Sequence, residues 1–124
     1  MKKEKFVVIN EIRELIVKVD KYLVNFPKKE IEIKQEISKS SKEMLLLAYE
    51  ANSSDNIEHR KTLQEKIIAR IKYIDFLINL CYDKQIINAK RYLKFGESLE
   101  YILKYANGWK KVQVNNILIL RALL

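Results

Sequence analysis

The chain has 124 residues, a net charge of +8, 48% apolar and 32% charged residues, and only two glycines and one proline. This length suits one domain around one core, and so few turn-forming residues exclude β-sandwiches and doubly wound sheets. An all-α fold of long amphipathic helices remains.

Helix A is predicted over about residues 4–25. Val8, Ile12, Leu15, Ile16, Val19 and Leu23 recur at spacings of three and four, which puts them on one face. Phe26-Pro27 ends it, because a residue before proline is pushed out of the α region. Pro27 then fits the first turn of helix B, over about 28–52, where its missing N–H costs nothing. Its inner stripe is Ile33, Ile37, Ser40, Met44, Ala48 and Ala51, and small Ser40 and Ala48 allow close helix approach. Ser53-Ser54-Asp55-Asn56 reads as a loop, with Ser54 or Asp55 as the N-cap of helix C.

Helix C, about 56–82, carries the strictest seam: Leu63, Ile67, Ile71, Ile74, Ile78 and Cys81. A lone cysteine on such a stripe reads as a buried, inert thiol and suits a reducing cytoplasm. Helix D is predicted over about 85–107, with Ala89, Leu93, Gly96, Leu99, Leu103 and Ala106 facing inward and Gly108 as its C-cap. Gly96 is expected to serve a close helix contact, since glycine inside a helix costs about 1 kcal/mol against alanine. Short connections make sequential helices antiparallel, so residues 1–111 are expected to form an up-down-up-down four-helix bundle.

Residues 112–124 form an apolar tail, Ile117-Leu118-Ile119-Leu120 above all, in which only Arg121 is charged. Four readings stay open: a segment on the bundle, one on a sister subunit, a partner-binding peptide, or a disordered or non-native end. The tail is too short to span a membrane, no other run approaches the ~18 apolar residues required, and Met1 to Lys5 is charged rather than leader-like. No membrane association is expected.

Catalytic vocabulary is sparse. A di-iron bundle needs Glu-x-x-His pairs, but His59 is the single histidine and has no glutamate at the required spacing. It reads as a surface residue near the start of helix C. No glycine-rich phosphate loop, Cys-x-x-Cys pair or Ser–His–acid set can be assembled. Ser53-Ser54 is loop and cap, while Glu43 and Glu50 fall on the outer side of helix B. The expectation is a non-enzyme without metal or cofactor.

Charge is more telling. Residues 1–55 hold 11 basic and 10 acidic groups, whereas residues 56–124 hold 13 basic and 6 acidic ones. A second half this basic attracts phosphates or acidic protein surfaces. On helix C, Lys66, Arg70 and Tyr73 share a strip with His59. On helix D, Lys90, Arg91 and Lys94 share an outward face with Tyr101 and Tyr105. Cations neutralise phosphates and aromatic rings stack on bases, so these strips suit RNA or single strands. Solvated faces and oligomer contacts use the same residue types.

Several short motifs carry a family resemblance. Phe26-Pro27-Lys28, Ala48-Tyr49-Glu50-Ala51-Asn52, Ile102 and Asn107-Gly108-Trp109-Lys110, in this order over about residues 15–111, resemble the accessory variability determinant proteins of diversity-generating retroelements. Those proteins are related to bundle proteins encoded within 23S ribosomal RNA intervening sequences. The resemblance implies a barrel-like homopentamer with a positive surface that binds the retroelement reverse transcriptase and its template RNA or DNA. It implies no catalysis, only support of mutagenic complementary-DNA synthesis. It matches Gly108 and Trp109 to the closing motif as structural residues, and Lys66, Arg70 and Arg91 to basic helical faces only. The alternative is an intervening-sequence-type bundle acting as a structural or protein-interaction oligomer. Two departures stand out: Leu103 lies where the family often has glycine, and the apolar tail after Lys111 has no counterpart.

Overall fold

The amphipathic segments fold into four helices: α1 Lys2–Tyr22, α2 Ile31–Ser53, α3 Ile57–Asp83 and α4 Ala89–Leu123. A computed structural model describes the backbone of residues 2–123 and the side chains of residues 6–111, and no strand occurs among them. α1 packs on α2 and α4, and α3 packs on α2 and α4. The helices therefore stand at the corners of a square in chain order, the arrangement that short antiparallel connections produce.

The connections explain where each helix stops. α1 ends in a turn before Phe26-Pro27, and Pro27 opens a short 3-10 turn, Lys28–Glu30, closed by Glu30 N–H donating to the Pro27 carbonyl at 3.0 Å. Before α3, the cap is Asn56 rather than Ser54 or Asp55: its Oδ1 accepts from the His59 N–H at 3.0 Å. Ser54 is occupied otherwise, its Oγ accepting from Asn56 N–H at 3.2 Å and its carbonyl from Arg60 Nη2.

α3 closes with a paired-bond C-terminal motif. Ile86 N–H donates to the Cys81 carbonyl at 2.8 Å and Gln85 N–H to the Tyr82 carbonyl at 2.9 Å. This geometry needs a left-handed residue between them, and Gln85 supplies it with φ 62°. Glycine would sit there without the Cβ penalty.

The core contains the expected stripes of α1, α2 and α3: Ile12, Leu15, Ile37, Met44, Ala48, Ile67, Ile74 and Ile78 are all fully buried. Ser40 is buried as well. Ser41 is buried too, and its Oγ donates to the Ser38 carbonyl at 2.9 Å.

α4 differs from expectation in phase and length. Its inner residues are Phe95, Leu99, Ile102, Ala106 and Trp109, whereas Leu93 is 62% exposed. Ala89 is exposed, and Gly96 and Leu103 are half-buried. The helix carries two apolar stripes, and the one with the larger side chains turns inward because buried apolar area decides. A Cβ placed on Gly96 would meet nothing within 4 Å, so no contact among the described residues requires glycine there. Gly108 does not cap the helix either, since no glycine has positive φ and α4 continues to Leu123. Helical geometry one residue further on is what delivers Trp109, 2% exposed, into the core. The side chains of the 112–124 tail lie outside the described residues.

Candidate nucleic-acid interface

The C-terminal end of α1 and the N-terminal end of α4 stand side by side. The Tyr22 and Phe95 rings meet edge to face with centroids 5.7 Å apart. Arg91 Nη1 donates to the Tyr22 carbonyl at 3.0 Å, and its guanidinium lies 5.5 Å over the Tyr22 ring. Lys21 Nζ reaches to 5.8 Å from the same ring centroid. Asn88 starts α4 by accepting the Arg91 N–H on Oδ1 at 2.9 Å. That bond fixes the helix end from which Lys90, Arg91 and Lys94 project.

Tyr22, Asn88, Lys90, Arg91 and Lys94 line a cleft of about 280 Å³. Ion pairs elsewhere join Lys39 and Arg70 to Glu43, Lys84 to Glu30 and Lys110 to Glu65. Among the described residues no carboxylate pairs with Lys21, Lys90, Arg91 or Lys94. The positive end of the α4 dipole adds to their field. Lys21 and Arg91 lie over the Tyr22 ring while Lys90 and Lys94 line the same cleft, an arrangement whose charge and aromatic face are complementary to anions that carry flat rings.

The seam continues down the bundle. Lys18 Nζ donates to Ser98 Oγ across α1 and α4 at 2.5 Å. Tyr101 and Tyr105 hold their rings 4.8 Å apart, with Lys104 Nζ 5.6 Å from the Tyr105 centroid. The Tyr101 phenol is held above its ordinary value, first by its hydrogen bond to Tyr105 and more weakly by loss of hydration and the Glu11 carboxylate. It stays neutral at physiological pH.

The strip on α3 is different. Lys66 is exposed, but Arg70 Nη2 lies 3.1 Å from Glu43 Oε2. The Tyr73 phenol is raised by loss of hydration, then by a hydrogen bond to Glu36. Carboxylates of α2 thus satisfy most of this strip. The square places the α2–α3 seam opposite the α1–α4 seam, so Lys66, Arg70 and Tyr73 do not share a site with Lys90, Arg91 and Lys94. His59 is exposed at the start of α3.

Lys21, Tyr22 and Lys18 are members of the site that sequence reasoning missed. The first half of the chain is nearly neutral, which hid its contribution, and Arg91 meets Tyr22 across 69 residues. A Lys-Tyr pair in the last turn of a helix was the one local signal. Among the described residues no three His, Cys, Asp or Glu side chains group to hold a metal ion, and no helix is long and apolar enough to cross a membrane. No family model, curated protein or solved structure matches this chain.

Proposed function

We propose that this chain is a non-catalytic, nucleic-acid-binding helical bundle whose α1–α4 seam receives a single-stranded or looped RNA. The observation that carries the reading is the unneutralised set Lys21, Lys90, Arg91 and Lys94 around the Tyr22 ring. Unstacked bases lie on aromatic and guanidinium faces while the cations take the phosphates, the chemistry that single strands offer and rigid duplexes withhold. Tyr101 and Tyr105 extend the stacking surface along the same seam. The resemblance noted in the sequence supplies the finer proposal: an accessory protein of a retroelement reverse transcriptase, acting as a homo-oligomer on template RNA. Phe76 and Leu93, 58% and 62% exposed, favour as a second reading a structural oligomer of the intervening-sequence type.

The test is binding of a labelled single-stranded RNA across a salt series. Four phosphates engaged at once give a log–log slope of about −2.8, or roughly a 50-fold loss of affinity between 50 and 200 mM salt. Reversal at Lys21→Glu, Arg91→Glu and Lys94→Glu should abolish binding with helicity unchanged, while Lys66→Ala and Arg70→Ala should leave most of it. Full retention after the triple reversal would remove the seam from the proposal. Absence of binding at low salt would favour the second reading.

A further inference from the structure

The opposite charge balance marks a second feature, a cleft of about 520 Å³ between α3 and α4. Its apolar surface comes from Ile71, Leu93 and Leu103, with Gly96 between them. Its rim carries Asp75, Glu97 and Glu100 against the single cation Lys72, in a protein whose net charge is +8. Among the described residues nothing lies within 4 Å of a Cβ placed on Gly96. A glycine that costs about 1 kcal/mol of helix stability, where the described residues leave open room, allows another backbone to come close. Apolar walls with a glycine between them are features of a groove that accepts a helix.

The acidic rim selects an occupant that is apolar and flanked by cations, and the chain's own C-terminal segment has that composition. Val112, Val114 and Ile117-Leu118-Ile119-Leu120 lie between Lys110-Lys111 and Arg121. Lys110 pairs with Glu65 at 3.2 Å, and Lys111 and Arg121 complete the cations that flank the apolar run in sequence. The lengths agree: residues 110–121 and residues 92–103 each cover about 16 Å of helix. The segment cannot reach the groove of its own copy. α4 is one helix from Ala89 to Leu123, which carries residue 117 about 21 Å beyond Leu103 along the same axis.

We infer that the C-terminal segment of one copy lies in the α3–α4 groove of a second copy. Antiparallel alignment of the two α4 helices, residues 110–121 of one along residues 103–92 of the other, sets Lys111 near the level of Glu100 and Leu118 near the level of Gly96. The contact leaves the α1–α4 seam open, so self-association and nucleic-acid binding use separate sides. Groove and segment carry this inference independently of the RNA reading.

The test mixes two full-length variants, one with Gly96→Cys and one with Leu118→Cys, and adds a short bismaleimide. Each maleimide takes up one thiol by conjugate addition, so a cross-link records the two positions in proximity. The expected result is a two-chain product containing one of each variant. The same reaction with Glu32→Cys in place of Gly96→Cys should give none. Adding Glu97→Lys and Glu100→Lys to the groove variant, or Ile117→Asp to the other, should abolish the product while circular dichroism shows the helices intact. Equal product from Glu32→Cys, persistence of the product in the charge-reversed variant, or no product while light scattering still detects oligomers would each overturn the inference. A monomer at tens of micromolar would overturn it as well.

Discussion

Replacing Trp109 with alanine tests the packing of α4 most directly. Trp109 is 2% exposed, and a buried indole removes up to about 250 Å² from water. At about 25 cal/mol per Å² that is an upper estimate near 6 kcal/mol. Partial collapse around the vacancy and the methyl that alanine retains bring the expected loss to about 3–5 kcal/mol. With a urea m-value of about 2 kcal/mol per M, the midpoint falls by roughly 2 M. Leu93→Ala is the paired control: Leu93 is 62% exposed, so the isolated chain should lose less than about 0.5 kcal/mol. Far-UV circular dichroism in urea reads both variants, at two protein concentrations so that any cost of Leu93 through self-association appears as concentration dependence. A loss below about 1 kcal/mol for Trp109→Ala, or an equal and concentration-independent loss for Leu93→Ala, would refute the inward assignment of the Phe95–Ile102–Trp109 stripe.

Three further outcomes are expected. Gln85→Gly should raise stability by about 1 kcal/mol in the same urea titration, because glycine adopts the left-handed conformation without a Cβ clash. Asn56→Ala should lower it by about 1 kcal/mol by leaving the His59 N–H without its cap, and Asn56→Ser should restore most of the loss. Burial first, then the Glu30 carboxylate, pushes the Cys81 thiol up to about 11. Below an unfolded-state value of about 8.5 the thiol is neutral in both states; above it the unfolded chain sheds the proton first, so stability falls as pH rises toward 11. The wild type should lose up to about 1.4 kcal/mol per pH unit more than Cys81→Ala in that window, and parallel curves would contradict the burial of the thiol.

Most of the fold could be read from residue spacing because α1, α2 and α3 each have one dominant apolar face. In α3, Leu63, Ile67, Ile71, Ile74, Ile78 and Cys81 left no competing phase, and all six are buried. α4 offered two phases that share Leu99 and Ala106, and spacing weighs leucine and tryptophan alike. Volume breaks the tie, and it became visible only with the neighbouring helices in place. Gly108 misled for a related reason: glycine favours a helix end locally, but burial of the adjacent Trp109 outweighs about 1 kcal/mol of glycine propensity. On the surface, Lys90, Arg91 and Lys94 were readable as a cationic face, yet Lys21 and Tyr22 were not. Their role depends on which helix closes the square, a pairing that no local pattern encodes. Likewise the carboxylates Glu36 and Glu43, which reduce the free charge of the Arg70 strip, come from a different helix.

The closure of the square by α1 and α4 has a dynamic consequence. Every other helix seam joins neighbours in sequence, and only this one brings distant parts of the chain together, so it carries the largest loop-closure entropy. Partial opening of the bundle therefore proceeds by peeling α1 away from α4 while the α2–α3 hairpin persists. The Tyr22–Arg91 cluster straddles that same seam. If the proposed polyanion binds there, it would act as a clasp between early and late segments of the chain, and occupancy at 100 times Kd would oppose the peeling by about 2.7 kcal/mol. Amide exchange in α1 would slow before that in α3, which makes the firmness of the first helix a reporter of what the bundle holds.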